Sequence, residues 1–261
     1  MNIFEVLSII GAGSWLYPVG VLFYKFFVKS KIKIDLSDTV RIGYTNFGPI
    51  IILQAAVSAK KKDAHIEKIE VTVTHEKGET HNLPWKLLDE VQSTITSSSG
   101  EGSVLTKDDA AIALKISTSF LSQKRIIFLD NEFLKSSSTI SRNLIKSRKL
   151  LEKNNPNNWK QEIIKSKEYN AIVNLITNYM YWKKGSYEIE IKSYVAGQKR
   201  AYVEKYSFSI EQYEIEDLME NIKIIKEIIK SSLTSDRDKK SEGSKSIDDY
   251  YWVDTEITRK T

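Results

Sequence analysis

The residues that could do chemistry in this chain are few: three histidines, His65, His75 and His81, and some clustered carboxylates. His75 and His81 bracket Glu76 and Glu79 across Lys77-Gly78, a set of metal-ligand types around one turn. The histidines stand six residues apart and no second motif supplies a third ligand, so exposed, turn-flanking histidines are expected and no metal site. Asp108-Asp109, Glu211/Glu214/Glu216/Asp217 and Asp248-Asp249 are the carboxylate clusters. The first two fall near strand or helix beginnings, where acidic residues complement the helix dipole or start turns. No nucleophile-elbow, zincin, Walker or dinucleotide-binding pattern occurs; Gly11-Ala12-Gly13 lies in an apolar run without a preceding strand. Cysteine is absent, which excludes disulfides, thiolate metal sites and a cysteine nucleophile. The sequence therefore predicts no catalytic residues, no cofactor and no enzymatic activity.

The 261 residues are 41% hydrophobic, enough for one sizeable core, and the net charge of +5 is too modest for a whole-chain nucleic-acid signature. From Lys31 onward, apolar residues alternate with polar ones in short runs: Ile32/Ile34/Leu36, Ile50 to Ala59, Ile69/Val71/Val73, and Thr80 to Trp85. Turn clusters such as Asn46-Phe47-Gly48-Pro49 and Lys77-Gly78 separate them at roughly ten-residue spacing, the pattern of an antiparallel sandwich or barrel. Residues 92–103, QSTITSSSGEGS, read as a polar loop, with strands resuming at 111–116 and 124–129.

Between 133 and 181 the period becomes helical, with Ile140, Leu144 and Leu151 on one face and Ser137 or Ser138 placed to cap. Asn154-Asn155-Pro156 breaks this insertion into two helices. A hairpin follows, Tyr187 to Val195 and Ala201 to Ile210, then an amphipathic helix at about 214–230 carrying Ile215, Leu218, Ile222, Ile225 and Ile229. Residues 231–261 read as a disordered tail, with the aromatic Tyr250-Tyr251-Trp252-Val253 expected to pack back on the domain.

Early alternating strands, a late aromatic-rich hairpin introduced by Trp182-Lys183-Lys184-Gly185-Ser186-Tyr187 and a closing helix together resemble an immunoglobulin-like sandwich. That resemblance implies a mainly β domain over 31–230 with a helical insertion; a likeness of fold alone supplies no function.

Val6 to Tyr24, VLSIIGAGSWLYPVGVLFY, contains no charged residue. As a helix its 19 residues extend roughly 28 Å, close to the hydrocarbon thickness of a bilayer. One N-terminal transmembrane anchor over 1–30 is expected, with a core helix and a signal peptide as alternatives. Gly11, Gly13 and Gly20 offer surfaces for helix packing within the span. Lys25, Lys29, Lys31 and Lys33 follow within nine residues, so the positive-inside rule puts the N-terminus outside and the domain in the cytosol of a cell membrane.

Charge is concentrated elsewhere too. Residues 135–168 carry nine Lys/Arg and three Glu, including Arg142, Lys146, Arg148, Lys149 and Lys153. Such a run is expected to be the solvated face of two surface helices; failing that, an anionic leaflet, through its lipid headgroups, is the nearest negative partner for a cytosolic domain, an acidic protein another, and no aromatic ladder favours nucleic acid. The expectation is a membrane-anchored binding or scaffold protein with an unidentified protein partner. A membrane-active effector, whose domain controls oligomerisation of the span, is the alternative.

Overall fold

The computed structural model describes residues 18–23, 28–96, 102–235 and 250–260, with only the backbone described at 89–96 and 102–109. Its architecture is mainly antiparallel β, a nearly closed barrel-like sheet, with several helices. Strands β1 (Lys31–Thr45), β2 (Gly48–Lys60), β3 (Ala64–His75), β4 (Thr80–Thr96), β5 (Gly102–Ala110), β6 (Leu114–Ile116), β7 (Ser122–Leu129), β8 (Gly185–Val195) and β9 (Tyr202–Ile210) are followed by short β10 (Trp252–Glu256) and β11 (Thr258–Arg259). The hydrogen-bonded order is β10-β1-β2-β7-β4-β3-β8-β9-β11, with β5 on β4 and β6 on β3.

Period-two burial explains most of the wall. In β8, Tyr187, Ile189, Ile191 and Val195 point inward while Glu188, Glu190 and Lys192 alternate toward solvent. Strand β2 instead is apolar on both faces. Ile51, Leu53 and Val57 fill the barrel, while Ile50 and Ile52 pack outside with Ile127 and Leu129.

Helices α1 (Asn131–Asn154), α2 (Trp159–Lys165), α3 (Lys167–Asn178) and α4 (Gln212–Thr234) build a second core around Phe133, Leu144, Ile163, Ile176 and Ile225. The cap of α1 is Asp130, whose carboxylate accepts the N–H groups of Glu132 and Phe133 at 2.8 and 3.0 Å, not Ser137 or Ser138, which lie inside the helix. Ser166 splits the predicted second helix in two. Tyr44 links the cores, its hydroxyl donating to the Ile176 carbonyl.

Two expectations are corrected. Residues 92–103 are largely not a loop: β4 and β5 pair from Leu87↔Ala110 out to Thr96↔Gly102, because Thr94-Ile95-Thr96 meets Gly102-Ser103-Val104 in antiparallel register despite its polar surroundings. Nor is 231–261 wholly a disordered tail. Helix α4 runs to Thr234, and residues 250–260 return to bridge the two open edges of the sheet. Strand β10 pairs with β1 and β11 with β9, so backbone groups that would otherwise line exposed edges are satisfied. Asn221, buried in α4, holds this return by donating to the Tyr251 carbonyl and accepting its N–H, both at 2.8 Å.

Most of the expected anchor, including Gly11, Gly13 and Lys25, lies outside the described residues. Among the described residues no helix is long and apolar enough to cross a membrane. Residues 18–23 are helical.

Candidate functional site

Strand register assigns residues to the two ends of the barrel. Lys31 pairs with Lys60, and Ile66 with Val195, so the β2–β3 and β8–β9 turns share one end with the start of β1. Thr45 pairs with Gly48, Leu129 with Ile50 and Gly185 with Ile210, which places all entries into the helices at the other end. Fifteen residues of β1 separate these ends, roughly 45 Å at strand rise.

At the first end the chain enters the sheet through Ser30, which is buried. Its carbonyl accepts hydrogen bonds from Gln198 Nε2 and the Tyr202 hydroxyl, both at 2.8 Å. Lys29, Lys31 and Lys33 of the predicted flank are exposed here, and Lys33 pairs with Asp35 at 2.7 Å. Upstream, Val19, Leu22 and Phe23 are 41%, 56% and 59% exposed, and a Cβ on Gly20 would meet nothing within 4 Å. None of the three belongs to either core.

The second end carries the predicted basic surface. Arg142, Lys146, Lys149 and Lys153 are exposed on α1 at spacings of four, three and four, which aligns them on one helix face. Arg148 departs from the expected free surface. Half-buried, it donates to Glu152 at 2.7 Å and to the Ser232 and Ser235 carbonyls at 3.0 Å, and lies over the Trp159 ring. It ties α1 to the C-terminal end of α4, where carbonyls lack helical partners. With Ile145, Lys149, Ser232 and Leu233 it lines a cavity of about 360 Å³. Lys29, Lys31 and Lys33 therefore stand at the opposite end from the α1 stripe and do not form one surface with it.

The histidines lie at the second end as well. His75, expected to be exposed, is buried at the close of β3. Its Nε2 faces the Lys184 carbonyl at 3.2 Å and its Nδ1 lies 3.4 Å from the Lys77 N–H, an arrangement that fits the Nε2-protonated tautomer. Gly185, at φ +136°, leaves no room for a side chain, since a Cβ would sit 2.7 Å from His75 Nε2. His81 stacks on Tyr181 with ring centroids 3.6 Å apart, and burial pushes its pKa below the ordinary histidine value. Lys183 pairs with Glu79 at 2.6 Å and, by hydrogen bonding, holds that carboxyl below its usual range.

Tyr179 donates to Asp130 at 3.3 Å, and Tyr187 exchanges hydrogen bonds with the Lys183 backbone, its pKa raised by burial to about 12. These groups are engaged with one another, and they fasten the helices to the barrel. Among the described residues no three His, Asp or Glu side chains converge to hold a metal. The signal for this cluster was the aromatic density of 179–187, which the periodicity divides between the end of a helix, up to Tyr181, and the start of a hairpin at Trp182.

No protein-family model matches the chain, and no curated protein matches it. Among solved structures it is similar to part of a family 123 glycoside hydrolase from Clostridium perfringens, described for glycolipid glycan hydrolysis. Identity is 9% and the TM-score 0.31, over 70% of this chain. The chain spans 27% of the length of that protein. This match to a hydrolase corrects the expectation that the chain is not an enzyme, which had rested on missing local motifs. The likeness itself brings no reaction, substrate or catalytic residue to this chain.

Proposed function

We propose that the chain is a membrane-tethered binding module, held at the bilayer through residues 6–24 and presenting its helical end to a protein partner. The observation that carries this reading is the opposite placement of Ser30 and the α1 stripe. A tether leaving at Ser30 holds one end of the barrel near the membrane and directs Arg142, Lys146, Lys149 and Lys153 away from it. The stripe then faces an acidic protein surface, flanked by the exposed Ile145 and Leu150 as apolar contacts. Exposure of Val19, Leu22 and Phe23 favours the anchor over a packed core helix. The lysine flank orients the domain toward the cytosol.

On the finer fold, β4 supports an immunoglobulin-like sandwich: it pairs with β3 through Pro84 and with β7 from Trp85, turning a corner between two facing halves.

A photo-crosslinker at position 149 tests the module in its native membrane. A defined acidic protein captured there, and lost when Arg142, Lys146, Lys149 and Lys153 are changed to Glu, is the expected result. The same capture by the charge-reversed chain contradicts it. Digestion of the domain by protease added outside intact cells contradicts the orientation.

The open surface of Gly20 favours a second reading, an effector whose span self-associates under control of the domain. Induced expression then depolarises cells, and replacing Gly11, Gly13 and Gly20 with Leu abolishes the effect. Unchanged membrane potential contradicts it.

A further inference from the structure

We infer that the rim around Ser30 is itself a bilayer-contact surface, which inserts Phe120 and Leu121 among anionic lipid headgroups. The inference rests on the tethered reading and names the lipid class and the residues that meet it.

Three segments distant in sequence form this rim. Ala64 pairs with Ile116, and Ala59 donates its N–H to the Ser117 carbonyl, which brings the β6–β7 loop beside the β2–β3 turn. Asp63 fixes that loop by accepting the Thr118 N–H at 2.9 Å and its hydroxyl at 3.2 Å. Ala196 donates its N–H to the His65 carbonyl, which adds the β8–β9 turn.

At the tip of the fixed loop, Phe120 and Leu121 are 64% and 55% exposed and adjacent. Around them stand Lys29, Lys31, Lys60, Lys61, Lys62, Lys115, Lys199 and Arg200, all exposed. Within 28–31, 60–66, 115–122 and 195–202 the one acidic residue is Asp63, already committed to Thr118. An apolar pair inside a basic ring is the composition that suits an interfacial membrane contact, where rings enter the headgroup boundary and cations meet anionic lipid. Each such cation near an anionic leaflet strengthens association by roughly fivefold.

Chain length brings the bilayer within reach. From Tyr24 to Ser30 the chain extends at most about 20 Å, so a span ending near Tyr24 keeps its membrane surface within that distance of the rim. The α1 stripe stands at the opposite end of the barrel, past the whole length of β1.

The test uses the full chain, which contains no cysteine, with Ser119→Cys carrying an environment-sensitive fluorophore in vesicles with or without phosphatidylserine. Expected are a blue-shifted emission and quenching by lipid-phase spin labels, strongest in anionic vesicles. The signal is lost in Phe120→Ser/Leu121→Ser and weakened roughly fivefold per charge in Lys60→Gln/Lys199→Gln/Arg200→Gln. A chain that floats with vesicles after alkaline washing while the probe stays aqueous overturns the rim contact and leaves the tether standing. A chain that does not float overturns the tether itself. A probe that responds to nucleic acid and not to vesicles also overturns the inference.

Discussion

Tyr202 donates its phenolic hydrogen to the carbonyl of Ser30 at 2.8 Å, joining residues 172 positions apart. The contact fixes where the chain enters the barrel, beside the β8–β9 turn, and so fixes which end a tether would hold. Tyr202→Phe removes one neutral hydrogen bond, worth about 1 kcal/mol, while Gln198 still occupies the carbonyl. A fall of about 2–4 °C in Tm is expected for a domain of this size, with faster amide exchange confined to the first residues of β1.

The closing strand gives a larger effect. A Cβ on Gly43 would lie 2.5 Å from the Trp252 ring and 2.9 Å from Ile50, so Gly43→Ala must displace β10 from β1. Overpacking of this kind costs about 1–3 kcal/mol. Thermal unfolding should show the loss, and tryptophan emission should shift to the red as Trp252 is released.

Asp130 has two jobs, capping α1 and accepting the Tyr179 hydroxyl. Asp130→Ala should cost about 1–2 kcal/mol, the usual range for a lost cap, and should loosen the helices before the barrel. Asp130→Asn keeps the acceptor and restores most of the stability. Hydrogen exchange resolves the two regions.

His81 predicts an acid-sensitive fold. Burial lowers its pKa in the native state below the ordinary 6.5, so in the window beneath 6.5 the unfolded chain binds the proton more readily. The stabilisation is complete above that value and is lost as pH falls toward the native pKa. His81→Phe preserves the stacking on Tyr181 and removes this titration. Its Tm should therefore change less than that of the wild type across the window, when the two are compared by melting at a series of pH values.

Where the sequence carried local periodicity, the structure follows it. Ile69/Val71/Val73, Tyr187/Ile189/Ile191 and Ile215/Leu218/Ile222 all bury the expected faces. Expectations failed where pairing is non-local. Thr94-Ile95-Thr96 sits in serine- and glycine-rich surroundings, and only its register against Gly102-Ser103-Val104 makes it a strand. Residues 254–260 have no pattern of their own; their structure comes from two sheet edges that needed partners. The rim was illegible for the same reason, because Lys60, Phe120 and Lys199 become neighbours only through strand register. Arg148 looked like one more surface cation, since no local signal announces the α4 carbonyls that it binds.

Alkaline extraction of the full-length chain from membranes tests the tether most directly. The wild type should remain in the membrane pellet, while Leu16→Lys/Val19→Lys, which places two charges in the span at about 2.5–3.5 kcal/mol each, should be released. Release of the wild type together with the variant would contradict the account.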